Sequence, residues 1–261
     1  MNYFVEGVQG AGKSTLVGRL AEHFPDYRVY REGDYNPVEL AWCTYMTEAQ
    51  YESVLAKYDR LREEIIANTH TEGDRRIVTY TRIITDEPGF HKDLDQYEIY
   101  NNRLSRVEFE EIIITRYERW SGDKAVFECS FFQNIVENQI LFYEMTDEEI
   151  VAFFLRLKAV LAGRDFRILY LEADDIAGSL QVIRKERVDA NGNEMWFPLM
   201  VGFLEESPHG VRHGLRGFDG LVKHLEHRMA VEKRILREVF PEQAVILQSK
   251  NYDLDEVLGN M

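Results

Sequence analysis

Eight consecutive residues, Gly7-Val8-Gln9-Gly10-Ala11-Gly12-Lys13-Ser14, constrain this chain more than any other stretch. They fit the spacing G-x-x-x-x-G-K-[ST] without a gap. Residues 2–6 read as a short buried strand, and residues 15–23 as a helix with Leu16 and Leu20 on one face. Strand, glycine turn and helix in that order commit the chain to an α/β beginning. Gly7, Gly10 and Gly12 let the backbone curl until its N–H groups converge on an anion, and the helix start adds the positive end of its dipole. In such a loop Lys13 reaches the β- and γ-phosphates of a nucleotide, and the Ser14 hydroxyl ligates Mg²⁺.

Further along, short apolar runs alternate with helical stretches. Residues 2–6, 27–31, 125–129, 166–172 and 244–248 are nearly continuous in Val, Ile, Phe, Tyr and Leu, as strands covered on both faces of a parallel sheet require. Between them lie stripes of 3.6-residue period. One comprises Tyr51, Val54, Leu55, Tyr58, Leu61 and Ile65. A second holds Ile150, Phe153, Phe154 and Leu157, opened by the capping-box sequence Thr146-Asp147-Glu148-Glu149. A third carries Phe218, Leu221, Val222, Leu225, Met229, Ile235 and Leu236. The pattern predicts one doubly wound α/β domain over 1–261 with a five-stranded parallel sheet. Residues 34–124 far exceed the dozen or so that a crossover needs, and are read as a helical insert covering substrate rather than as a separate domain.

With 46 acidic against 31 basic residues, the formal net charge is −15. That argues against general affinity for nucleic acid or anionic membrane, while leaving room for a local basic pocket. Two cysteines, Cys43 and Cys129, are too few for a disulfide framework, so a reducing cytoplasm is expected. Met1 leads straight into the first strand, so no signal peptide is expected. The most apolar helical stretch, 150–161, is interrupted by Arg156 and Lys158 and is too short to span a bilayer.

Three places narrow the chemistry. Ligands of open α/β sheets bind beyond the carboxyl ends of the strands. Glu32 and Asp34, in Arg31-Glu32-Gly33-Asp34, would follow the second strand, where a carboxylate can take the proton from an attacking hydroxyl. Glu128 ends the apolar run Val126-Phe127, where an acidic residue serves the Mg²⁺ shell. Arg184 and Arg187 lie after the fourth strand and before the turn Asp189-Ala190-Asn191-Gly192. A basic segment there can close over phosphates as a lid, taken as 184–215.

Together these residues resemble the thymidylate kinase and deoxynucleoside kinase branch of the P-loop kinases. Phe4-Val5-Glu6-Gly7-Val8-Gln9-Gly10-Ala11-Gly12-Lys13-Ser14-Thr15 is very similar to the opening of those enzymes, Glu128-Cys129-Ser130 resembles their E-R-S motif, and Arg184 to Arg187 their arginine-bearing lid. The chain also looks like bacterial P-loop proteins described only as ATPases or kinase-like. The resemblance covers 1–33, 125–190 and 244–258 and implies a P-loop fold, ATP and Mg²⁺ as cofactors, and phosphoryl transfer. It gives nucleotide contacts to Gly7, Gly10, Ala11, Gly12, Lys13, Ser14 and Thr15, Mg²⁺ to Ser14 and Glu128, and catalysis to Lys13, Glu128, Arg184 and Arg187, which Glu32 joins from its place at the end of the second strand. By analogy it allows a homodimer. Cys129 stands where the motif has arginine, so that charge must come from elsewhere, with Arg31, Arg116 and Arg119 as candidates. The E-P pair that often ends the second strand is Glu32-Gly33, and Thr85-Asp86-Glu87-Pro88 reads instead as an extended turn before a helix.

The acceptor is a small molecule, a nucleoside or nucleoside monophosphate in the first reading. Tyr35, Trp42, Tyr45, Phe131 and Phe132 can stack on a ring or fill the core, and Gln133 and Asn134 can hydrogen-bond an acceptor. Convergence of two of Arg103, Arg106, Arg116 and Arg119 would favour an acceptor that already carries phosphate; otherwise a neutral hydroxyl compound such as a nucleoside or an aminoglycoside fits better. A regulatory ATPase that transfers nothing is the alternative. His209, His213, His224 and His227 gather late in the chain, but Pro208, Gly210 and Gly214 argue against a helix presenting them to a metal.

Overall fold

The apolar runs and helical stripes set the order of the elements. The computed structural model describes residues 1–189 and 192–259. β1 (Asn2–Gly7), buried throughout, leads through the glycine loop into α1 (Lys13–His23) and then β2 (Arg28–Tyr30). Next come β3 (Met46–Thr47), α2 (Glu48–Lys57), α3 (Arg62–Ala67), β4 (Thr69–Glu72), β5 (Arg75–Val78), α4 (Phe90–Asp95) and α5 (Arg106–Arg119). The chain continues through β6 (Ala125–Glu128), α6 (Gln133–Leu141), α7 (Asp147–Val160), β7 (Phe166–Glu172), α8 (Ile176–Glu186) and α9 (Trp196–Glu206). α10 (Pro208–His213), α11 (Gly217–Glu238), β8 (Ala244–Gln248) and α12 (Leu254–Gly259) follow. Two units result, Met1–Val29 with the chain from Gly122 onward, and Tyr30–Ser121.

The first unit is built on a five-stranded parallel sheet of order β2-β6-β1-β7-β8, flanked by helices. Phe4 of β1 aligns with Phe127 on one side and Ile168 on the other, so the strand feeding the glycine loop lies at the centre. Its core is aromatic. Phe4 stacks on Phe127 with ring centroids 4.8 Å apart, and Phe131 meets both Phe4 and Phe240 edge to face. Phe131 and Phe132 are fully buried, which places both in the core rather than against a ligand. α7 opens on the expected capping box, with Thr146 accepting from Glu149 N–H and Glu149 reaching back. α10 corrects the reading of Pro208, Gly210 and Gly214 as helix breakers. Ser207 caps the helix, Pro208 occupies its first turn, and Gly214 takes the left-handed conformation just past its end. Proline at the start and glycine at the end are the helix's boundary signals.

The second unit also departs from expectation. The insert is not helical alone: β3, β5 and β4 form a three-stranded antiparallel sheet in that order. The stripe from Tyr51 to Ile65 is buried as its period requires, but two helices and a 3₁₀ turn at Asp59–Leu61 carry it, because α2 ends at Tyr58. After Thr85-Asp86-Glu87-Pro88 the chain enters α4 at Gly89, as the extended-turn reading requires. Among the described residues no helix is long and apolar enough to cross a membrane.

Candidate functional site

The glycine loop leaves the carboxyl end of β1 and is gripped on two sides. Gly7 has φ 138°, and a Cβ there would lie 2.5 Å from the Leu171 carbonyl oxygen of β7. At Gly10 a Cβ would lie 2.6 Å from Cδ1 of Ile183, so α8 packs directly on the loop. Only glycine permits both approaches. The Ala11 N–H donates to the Val8 carbonyl at 3.2 Å, and the Ala11 carbonyl accepts the Ser249 hydroxyl at 2.8 Å. Gly12, in the left-handed region, is the N-cap of α1, and no side chain caps that helix. By contrast α2, α5 and α7 each begin with a complete capping box. The first turn of α1 therefore presents N–H groups without a side-chain acceptor, with Thr15 exposed beside them.

Lys13 is buried and its ammonium donates to the carbonyls of Gly7 at 2.9 Å and Val8 at 3.0 Å. The Ser14 hydroxyl donates to Oε1 of Glu128 at 2.5 Å. The parallel register of β1 and β6 sets Val5 opposite Glu128, which brings the end of β6 beside the loop. There the chain turns at Cys129, whose φ is 57° and whose N–H donates to Val5 O at 3.1 Å. The Cys129 thiol is buried. Asn134 donates to the Cys129 carbonyl at 3.3 Å.

Two sets of buried charge surround this loop, and neither was expected. Glu6, immediately before Gly7, accepts the N–H groups of Phe131 at 2.6 Å and Gln133 at 3.2 Å. Burial pushes its carboxyl up to about 7, against those hydrogen bonds. Arg228 of α11 is wholly buried. Nη1 donates to Glu137 at 2.5 Å, Nη2 donates to the Gln9 side chain at 2.7 Å, and Nε lies 3.2 Å from Glu232. The Tyr170 hydroxyl donates to Glu232 at 2.6 Å, and His224 sits 3.1 Å from Glu137. Burial alone would raise Glu137, but Arg228 and His224 outweigh it and hold the carboxyl at about 2. Glu232 is raised by burial. A sequence signal existed: Arg228 and Glu232 fall on the apolar stripe of α11 with Leu221, Leu225 and Ile235. Their spacing of four residues also suits an ordinary surface ion pair, which hides it.

The remaining candidates have local partners. Arg184 lies in the last turn of α8, pairs with Glu194 at 2.9 Å and stacks over Phe197. Arg187 is the residue after that helix and lies over Trp196, so the two arginines do not share a helix face. Ala190 and Asn191 of the expected turn lie outside the described residues. Within the second unit Glu32 accepts from the Trp42 indole at 3.0 Å, and Asp34 pairs with Arg82 and accepts the Arg31 N–H at 2.7 Å. Arg103 pairs with Asp95, Arg106 with Glu110, and buried Arg116 with Glu72 and the Asn36 carbonyl. These three arginines thus take separate partners, and Arg119 is exposed. Tyr35 stacks on His70 at 4.0 Å and donates to Glu72, while Tyr45 lies under Arg75. The histidines do gather: His209 and His213 have ring centroids 4.3 Å apart, and His227 contacts Asp147 at 2.9 Å. Burial first, then its histidine neighbours, lowers His209 to about 4. No family model matches the chain, and no curated protein matches it in sequence.

Proposed function

We propose that this chain is a P-loop phosphotransferase, related to the thymidylate and deoxynucleoside kinases, that moves the γ-phosphoryl group of ATP to a small acceptor. The observation that carries the reading is the contact of Ser14 with Glu128 at 2.5 Å beside the buried ammonium of Lys13. A hydroxyl and a carboxylate side by side are the hard oxygen donors that suit Mg²⁺. Bound there, Mg²⁺ supplies neutralisation of phosphate charge.

This chain's own residues do the rest. The uncapped first turn of α1 and the curled loop offer N–H donors to phosphate oxygens. Lys13 exchanges two carbonyl acceptors for anionic ones, a stronger pairing. Glu128 would hold the metal together with Ser14 or position the acceptor. Glu32 takes the acceptor proton, with Asp34 in reserve. Arg184 and Arg187 neutralise the moving group once Arg184 leaves Glu194. The acceptor class is a nucleoside or nucleoside monophosphate, and the separate partners of Arg103, Arg106 and Arg116 favour the uncharged nucleoside hydroxyl.

Transfer from γ-labelled ATP with Mg²⁺, against a panel of nucleosides, nucleoside monophosphates and aminoglycosides, tests this. A labelled acceptor is expected. Label released only as free phosphate, at one rate with every compound, points to a regulatory ATPase instead.

A further inference from the structure

Gln9 is the one polar side chain between Gly7 and Gly12, and Arg228, 219 positions away, holds it. The guanidinium is fully buried between carboxylates from two helices, Glu137 of α6 and Glu232 of α11. Glu232 is in turn fixed by Tyr170 of β7, the residue before the Leu171 carbonyl that abuts Gly7. Loop, β7, α6 and α11 are thereby joined through one cation. Apolar side chains of similar volume would join two helices at least as stably, because charges lose hydration on burial. What they would not supply is a directional donor aimed at the loop.

We infer that Arg228 is a positioning residue for the glycine loop: through Gln9 it holds the loop backbone in the shape that receives nucleotide phosphates. The inference rests on the phosphate-loop reading above. Glu137 and Glu232 balance the guanidinium charge, and Gln9 Oε1 takes the Nη2 donor. The tie anchors by a side chain the stretch between Gly7 and Gly10, which Leu171 and Ile183 hold only by packing on glycines. Arg228 touches no phosphate in this scheme; its effect passes through one side-chain amide.

The test uses Gln9→Met, which keeps shape and removes the acceptor, Arg228→Lys, and the double variant. ATP affinity is measured by calorimetry, loop order by amide exchange over residues 9–13 in nucleotide-free protein, and stability by thermal melting. Gln9→Met is expected to weaken ATP binding by about tenfold, the worth of one hydrogen bond to a charged group. Loop exchange over residues 9–13 should quicken by more than the fall in melting temperature accounts for. Arg228→Lys should move affinity the same way, and the double variant should lose no more than the worse single one, because both break one link. ATP binding and loop exchange unchanged in Gln9→Met overturn the inference alone. A wild-type chain that binds no ATP overturns the phosphate-loop reading and this inference with it. Gln9 is half-buried in a loop, so its variant does not depend on Arg228→Lys folding.

Discussion

The carboxylate of Glu6 accepts the backbone N–H of Phe131 at 2.6 Å, so the end of β1 caps the approach to α6 from 125 positions away. α6 has no side-chain cap of its own, and Glu6 also takes the Gln133 N–H in its first turn. Burial raises Glu6 to about 7. The folded chain therefore keeps a proton that the unfolded chain has released, and stability falls as pH rises from about 4.3, the unfolded value, through 7. The loss is on the order of 3 kcal/mol. Urea melts from pH 5 to 8 should show that slope in the wild type and a flatter one in Glu6→Gln. Equal slopes would remove Glu6 as its source.

The second unit holds the same device twice. Burial raises Glu39 to about 7 and Glu98 to about 8; the hydroxyls of Tyr100 and Tyr80 donate to them. The sign is again a loss of stability with rising pH, between about 4.3 and 8. Glu98→Gln preserves an acceptor for Tyr80 and removes the charge. It should match the wild type near pH 5 and exceed it at pH 8.5 in fluorescence-detected melts. A variant weaker than the wild type at pH 8.5 contradicts the assignment.

Lys13→Ala should abolish phosphoryl transfer while leaving the fold intact, read as an unchanged circular dichroism spectrum and a cooperative melt, since it removes two hydrogen bonds to loop carbonyls and little apolar contact. Near-normal transfer by a well-folded variant would sink the phosphotransferase reading.

Ser14→Ala and Glu128→Gln should each raise the Mg²⁺ concentration for half-maximal transfer by about tenfold or more. Titration of activity with Mg²⁺ at saturating ATP reads this. An unchanged midpoint in both variants would leave their 2.5 Å contact as a structural bond only.

Gly7 and Gly10 should differ in tolerance although both have positive φ. A methyl at Gly7 meets a backbone carbonyl, so Gly7→Ala should cost about 3 kcal/mol or more. At Gly10 it meets the movable tip of Ile183, so the cost should be nearer the roughly 2 kcal/mol of left-handed strain and partly lowered by adding Ile183→Val. Denaturant melts of the three variants decide; equal costs at the two positions contradict the packing argument.

Much of the central sheet was legible because its inner strands β1, β6 and β7 are almost wholly buried and its edge strand β8 still carries an apolar run. The runs at 166–172 and 244–248 coincide with β7 and β8. That the loop and the end of β6 share one edge was readable too, since ligands of such sheets bind at the strand ends; the direct contact of Ser14 with Glu128 was not. The small antiparallel sheet was not. β3 has two residues, and Thr69-His70-Thr71-Glu72 shows no apolar alternation. The surroundings of Glu32 and Asp34 were equally hidden, because Trp42 and Arg82 reach them across sequence that carries no motif. Arg228 was missed for the opposite reason: its spacing of four from Glu232 suits an ordinary surface ion pair and draws no attention.

β1 pairs with β6 and β7, and the loop it feeds is closed by Ile183 of α8 and the Ser249 hydroxyl. In synthesis order, the motif precedes by more than a hundred residues the strands and the wall that house it. Its central strand has no neighbours until residues 125–172 have emerged, and the wall at Ser249 arrives far later still. Such long-range closure makes folding slow and leaves the early strand waiting for partners. A nascent chain stalled short of residue 172 would therefore carry the complete glycine motif in an unformed setting.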